Sequence, residues 1–292
     1  MSPTEFLLDK QQVRRSFDRA AGSYEQSAVL QREVVQRMLD RLDYIRIKPE
    51  CILDVGAGTG FVGAGLTKHY SAATVYELDL SMRMLQQIRR KQVWYKRWFG
   101  KQTLICADAE HLPLQDQSVD IIFSSLMIQW CNDLDKTFAE FSRVLRPGGL
   151  LMFTTFGPDT LIELRQSWAQ VDNEGHVSQF IDMHDIGDGL LRAGLAEPVM
   201  DVENFTLSYD QVPDLLRDLK SIGATNALQT RRRSMLGKQA YKTMQSHYET
   251  LRLGGKLPAS YEVVYGHAWK APANDESKKG AMGIPVEFGA LK

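Results

Sequence analysis

Apolar positions in the first 45 residues recur at helical spacing. Val13, Phe17 and Ala20 fall on one face, Gly22 interrupts, and Val34, Val35, Met38, Leu39 and Leu42 resume the stripe. Ser23 with Gln26 has the form of a capping box and predicts that a second helix opens there. Pro49 closes the region, so residues 1–48 read as an N-terminal helical cover. From residue 51 the pattern changes. Short apolar runs (CILDV, ATVYELD, QTLICAD, VDIIFSSL, GLLMFTTF) alternate with helical stretches at 61–69, 81–92, 133–145 and 159–171. Strands alternating with helices predict a doubly wound α/β domain, over 49–271, with a mostly parallel sheet and right-handed crossovers. Arg146-Pro147-Gly148-Gly149 is a stop signal between the helix at 133–145 and the next strand. A helix at 184–193 ends at Gly194, and ENFTLSY (203–209) reads as an edge strand. Helices over 211–221 and 238–252 follow, and SYEVVYGHAWKA (260–271) alternates as a last strand. Residues 272–292 carry Pro, Gly, Lys and Ser with few large apolar residues and are expected to form a disordered or loosely packed tail.

Composition narrows the class. The 292 residues are 43% hydrophobic and 24% charged, with a net charge of −1, so nucleic acid is not indicated by global charge and any electrostatic recognition must be local. Cys51, Cys106 and Cys131 are far apart, form no CxxC pair and sit in or beside apolar runs. They are expected to be buried free thiols, with no disulfide framework and no metal site. No signal peptide and no apolar stretch of membrane-spanning length is visible, so the cytoplasm is the expected compartment.

The sharpest motif is Asp54-Val55-Gly56-Ala57-Gly58-Thr59-Gly60, directly after a strand. Glycines there let the backbone turn tightly and approach a ligand closely. Gly58 to Gly63 also matches GxGxxG, the dinucleotide fingerprint, and Glu77 or Asp79 lies at a suitable distance to meet a ribose in either cofactor class. Three features favour S-adenosyl-L-methionine over a dinucleotide. Asp54 puts a carboxylate beside the turn, which suits a cationic, phosphate-free ligand. Cys106-Ala107-Asp108-Ala109 ends the third strand with an acid placed to accept a bond from an adenine amino group. The RPGG turn precedes the fifth strand.

This set resembles the class I methyltransferases, which implies a seven-stranded, mostly parallel, Rossmann-like sheet. By that resemblance Gly56, Gly58 and Gly60 line the methionine and ribose portion. Asp79 binds the ribose hydroxyls in preference to Glu77, because Asp79-Leu80-Ser81 fits the strand-end pattern, and Ser81 caps the next helix. Leu80 packs on the adenine, Asp108 and Ala109 read its edge, and Ser124 at the end of the fourth strand joins the cofactor set. Five flanking segments are more specific: FDRAAGSYEQSAVLQ (17–31), SSLMIQWCNDL (124–134), TTFGPDTLIELRQSWAQVD (154–172), HVSQF (176–180) and LKSIGATN (219–226). Together they resemble the malonyl-[acyl-carrier-protein] O-methyltransferases of early biotin synthesis, over roughly residues 13–270.

The resemblance implies methylation of the free carboxylate of a malonyl thioester, on acyl carrier protein or coenzyme A. A carboxylate with a reference pKa of roughly 4 is already ionised and needs no general base. It needs donors that hold it in line with the sulfonium. Acceptor-side candidates are Tyr24, Gln129, Trp130 and His176, with Arg143 or Arg165 as the carboxylate clamp. Four of them have a bland alternative: core filling for Tyr24 and Trp130, a surface or capping role for His176, a solvated helix face or a helix-dipole partner for Arg143. Segments at about 172–185 and 211–258 are expected to cap the substrate side. Arg217, Lys220, Arg231, Arg232, Arg233, Lys238 and Lys242 form a basic run suited to an acidic carrier protein, or simply a solvated face. No nucleic-acid module appears. Three rivals stay open: the related complex I assembly factors that act as protein-arginine hydroxylases, an NAD-dependent oxidoreductase, and a cofactor-binding scaffold without catalysis.

Overall fold

In the computed structural model, residues 7–92, 102–172, 174–231 and 237–272 are described. Seven strands form one sheet: β1 (Cys51–Val55), β2 (Thr74–Asp79), β3 (Gln102–Cys106), β4 (Val119–Ser125), β5 (Leu145–Phe156), β6 (Leu195–Tyr209) and β7 (Leu257–Lys270). Their spatial order is β3-β2-β1-β4-β5-β7-β6. The first five are parallel and β7 runs antiparallel between β5 and β6. The order reverses between β1 and β4, and such a switch point leaves a crevice beyond the carboxyl ends of the strands.

Adjacent residues on a strand point to opposite faces, and here both faces are covered. Ile52, Ile121, Leu150 and Val263 pack into one core, with α3 (Val29–Arg41), α4 (Phe61–His69), α7 (Ile162–Ala169), α9 (Val212–Ser221) and α10 (Lys238–Thr250) over it. Leu53, Ile122, Leu151 and Ala268 pack into the other, against α6 (Leu134–Val144) and α8 (Met183–Arg192). The remaining helices are α1 (Lys10–Ala20), α2 (Tyr24–Ser27) and α5 (Met82–Lys91). Among the described residues no helix is long and apolar enough to cross a membrane.

Several expectations are corrected. Ser23 makes no capping bond; its hydroxyl donates to the carbonyls of Ala20 (3.2 Å) and Ser221 (3.0 Å), tying the turn to the end of α9. The second helix is four residues long and breaks at Ala28, which leaves helical ψ before α3. The RPGG segment lies inside β5 as an irregularity, with Val119 opposite Leu145 and Ile121 opposite Leu150, and Gly148 takes φ +77° to allow it. The edge strand expected at 203–209 begins at Leu195, because a shift between Ala196 and Val199 restores its pairing with β7. The cysteines are free, but Cys106 is exposed at the end of an outer strand, and Cys51 and Cys131 are half-buried. Of the expected tail, residues 273–292 lie outside the described residues.

Candidate active site

The chain leaves β1 into the crevice through the glycine turn. Gly56, Gly58 and Gly60 all have positive φ (+82°, +54°, +86°). At Gly56 the reason is also steric, since a Cβ would stand 2.5 Å from Met127 Cγ. The N–H groups of Gly56 and Ala57 donate to Leu78 O at 2.8 and 2.9 Å, clamping the turn to β2. One acid fixes the rest. Asp79 accepts from Gly58 N–H at 2.9 Å through one oxygen and from Ser81 N–H at 2.7 Å through the other. Burial pushes its carboxyl up to about 6, against the pull of those two backbone bonds. Ser81 Oγ accepts from Met84 N–H and caps α5 as expected.

A cavity of about 650 Å³ opens over this turn. Gly56, Gly58, Asp79, Leu80, Asp108 and Ala109 are all on its wall. Glu77 is not: it is fully buried beneath the turn with neither carboxylate oxygen hydrogen-bonded. Asp54 is likewise fully buried with both oxygens unpartnered, and burial together with Glu77 and Asp79 holds its carboxyl well above the usual carboxylate range. Gly60 serves as the residue before α4 and does not border the cavity. Ser124 is fully buried with its hydroxyl unpartnered; strand alternation gives the cavity Ser125 in its place.

The N-terminal cover closes this cavity. Lys10 Nζ lies 3.1 Å from Asp108 Oδ1 and 3.0 Å from Glu110 Oε1. Leu8 exchanges hydrogen bonds with the Asn132 side chain at 2.7 and 3.1 Å. Sequence reading missed this latch, because Lys10 and Asp108 are 98 positions apart and no local pattern joins them. Tyr24 stands on the wall beside Gly58. Burial and the nearby Asp79 charge raise its phenol above the ordinary value, so it remains a donor.

Two more cavities adjoin. One of about 810 Å³ lies on the α3 side of the turn and shares Tyr24, Gly56, Gly58 and Ser125 with the first. Another, of about 680 Å³, meets the first at Trp130 and is bordered by Gln129, His176, Phe180, Asn226 and Tyr261. Trp130 is held edge-on by Phe17, with centroids 5.2 Å apart. The Gln129 amide donates to Leu126 O at 2.7 Å and accepts from Thr155 Oγ1 at 3.3 Å. His176 stacks on Trp168 at 4.1 Å, its Nε2 2.8 Å from Asp172 Oδ1. Thus Gln129, Trp130 and His176 border one cavity, and Tyr24 borders the first cavity, which meets it at Trp130.

The two proposed arginine clamps do not. Arg143 is consumed by Glu140, Asp116 and the carbonyls of Leu112 and Leu114, all within 3.0 Å. Arg165 donates to the carbonyls of Pro158 (2.6 Å) and Thr160 (2.7 Å), stapling the turn before its own helix. The basic run is also partly spent. Arg217 pairs with Asp214 (2.7 Å), and Arg231 with Asp9 (3.2 Å), fixing the N-terminal segment. Lys220, Lys238 and Lys242 are exposed, and Arg232 and Arg233 lie outside the described residues.

Comparison with known proteins places the chain in a family. A methyltransferase-domain family model matches residues 53–153. The malonyl-[acyl-carrier protein] O-methyltransferase of Gallionella capsiferriformans is 51% identical over 286 residues, covering 97% of this chain and 98% of the relative. The enzyme of the same name from Laribacter hongkongensis is 54% identical over 288 residues, covering 97% of each. Among solved structures, the YcgJ protein of Bacillus subtilis superposes with a TM-score of 0.58 over 82% of this chain and 99% of its own, at 16% identity, a likeness of fold.

Proposed function

Since the chain belongs to the malonyl-[acyl-carrier protein] O-methyltransferase family, we infer that it methylates the free carboxylate of malonyl-acyl carrier protein with S-adenosyl-L-methionine as donor. The observation that carries the reading is the pair of cavities meeting at Trp130. One is lined by the glycine turn and acids, the other by polar side chains that include Gln129, His176 and Asn226.

The residues fit such a donor. Asp79 and Asp108 face the first cavity, and Asp54 is a buried carboxylate without partner directly below the turn. Among the described residues, the cation on that wall is Lys10, and it is neutralised by Asp108 and Glu110. Asp79, Asp108 and Glu110 outnumber Lys10 there, and that net negative charge favours a cationic sulfonium and opposes a pyrophosphate, which weighs against the dinucleotide rival. S-adenosylmethionine supplies, when bound, a methyl group made electrophilic by the positive sulfur.

The chain's own residues align and shield. Asp79 offers acceptors to a ribose, Asp108 and the Ala109 backbone meet an adenine edge, and Leu80 covers its face. Tyr24 remains protonated and closes the methyl side. Gln129 and His176 hold the acceptor from the neighbouring chamber, and Trp130 forms the partition through which carboxylate meets methyl. Catalysis is then orientation and exclusion of water, with no proton to move. Lys220, Lys238 and Lys242 remain as exposed cations for an acidic carrier.

The test is transfer of a labelled methyl from S-adenosylmethionine to malonyl-carrier protein and malonyl-CoA. A base-labile methyl ester on either is expected, faster on the carrier. Hydroxylation of a protein arginine with no ester formed would favour the assembly-factor rival instead.

A further inference from the structure

The acceptor chamber raises a question of charge, because the donor and the acceptor each bring a carboxylate. The described cations on the walls of the three cavities are few. Lys10 is paired with two acids. His176 is set against Asp172. Arg143 and Arg165 are held elsewhere by their own neighbours. What remains is Arg32, on the first turn of α3.

Arg32 is half-buried and borders the cavity on the α3 side of the glycine turn, with Tyr24, Gly56, Gly58 and Ser125 around it. One of its amino groups donates to the Glu25 carbonyl, which anchors the guanidinium. Among the described residues it has no carboxylate at ion-pair distance. The Glu25 side chain is taken by Lys91 and by Thr59 Oγ1 (2.9 Å), and Lys91 also donates to Thr59 O at 2.7 Å. Those bonds pin α2 and the glycine turn together, so Arg32 faces a cavity whose floor is fixed. That cavity continues the nucleoside cavity past Gly56 and Gly58, in the direction away from Asp79 and Asp108.

A ligand whose adenosine lies against Asp79 and Asp108 would carry its amino-acid arm over the turn to Arg32. We propose that Arg32 binds the α-carboxylate of the methionine arm of S-adenosylmethionine, and that the malonyl carboxylate is held without an arginine or lysine. This rests on the donor assignment above. It also has a chemical rationale. A guanidinium fork on the nucleophilic carboxylate would lower its electron density at the oxygen that must attack, whereas on the methionine carboxylate it binds without touching the reacting atoms. The partition at Trp130 keeps the two carboxylates in different electrostatic settings.

The experiment compares two probes by calorimetry. S-adenosylhomocysteine has the amino-acid carboxylate; 5′-methylthioadenosine has the same nucleoside and sulfur without it. Arg32→Ala should weaken S-adenosylhomocysteine roughly 10- to 100-fold. It should leave methylthioadenosine within about twofold of wild type, and Arg32→Lys should recover part of the loss, since it restores charge without the fork. KM for malonyl-carrier protein should be unchanged, and melting curves check that both variants fold. Equal loss of both probes would overturn the proposal and make Arg32 a support for Glu25. Unchanged S-adenosylhomocysteine with a raised malonyl KM would overturn it in favour of an acceptor clamp. Wild-type protein that binds neither probe would overturn the donor assignment with it; wild type that binds both, with Arg32→Ala indistinguishable, would sink this inference alone.

Discussion

Glu77→Gln isolates a cost that the fold carries beneath its glycine turn. Glu77 sits on β2 with no exposure and no hydrogen bond to either carboxylate oxygen. Its side chain fills the space that a side chain on Gly63 would occupy; a Cβ there would stand 2.1 Å from Oε1. Burial raises the carboxyl from 4.5 to about 7, with Lys91 pulling the other way. The native state therefore binds more protons than the unfolded chain between those two values, and stability falls as pH rises through that window. At 1.36 kcal/mol per unit, the shift corresponds to ~3 kcal/mol lost by pH 8. Glutamine keeps the shape and cannot ionise. The two proteins should be comparable near pH 4, and the variant should be more stable by ~3 kcal/mol at pH 8. Asp54 contributes a slope of the same sign to both, so the difference between them reports Glu77. The assay is urea unfolding followed by circular dichroism at the two pH values, with the slope m checked for constancy. S-adenosylhomocysteine affinity should hardly change, because Glu77 does not reach the cavity. A pH-independent difference would refute the burial argument, and a large loss of affinity would make Glu77 rather than Asp79 the ribose acid.

Asp79→Ala should weaken S-adenosylhomocysteine by roughly 2–3 kcal/mol in calorimetry, and wild-type binding should itself weaken about tenfold from pH 7.5 to pH 5, as protonation through about 6 removes an acceptor; a flat pH profile would place the ribose elsewhere. Gly56→Ala should cost roughly 1–3 kcal/mol of stability, read as a lowered denaturation midpoint, because φ is +82° and the added carbon meets Met127; wild-type stability there would mean the turn is looser than its geometry. Lys10→Met should speed amide exchange over residues 8–20 about fivefold, because the latch to Asp108 and Glu110 is gone; unchanged exchange would show that Leu8–Asn132 and the apolar contacts of α1 hold the cover by themselves.

The architecture was legible because burial imposes period. CILDV, VDIIFSSL and GLLMFTTF are apolar runs because their strands are covered on both faces, and the helical stripes at 61–69 and 81–92 mark the layers that cover them. The glycine turn was legible because positive φ and the close approach of Met127 leave few other residues possible at Gly56. Reading failed where a side chain's role depends on a distant partner. Arg143 and Arg165 looked like free cations, but Arg143 is taken by acids and carbonyls near it in space and Arg165 by two carbonyls of the turn before its own helix. Ser23 looked like a cap, but the end of α9, 198 positions away, offered it a carbonyl.

From the chain alone came the order of strands and helices, the acid-rich glycine turn and the kind of donor that suits it. These are local properties, set by backbone conformation and by which residues water rejects. Folding decided which acid borders the cavity and which lies beneath it, and that Arg32 comes to a cavity wall without a carboxylate beside it. It also decided that Lys10 reaches across to Asp108. Those depend on charges brought together in a medium of low dielectric, where a neighbour a few ångströms away outweighs any position in the sequence.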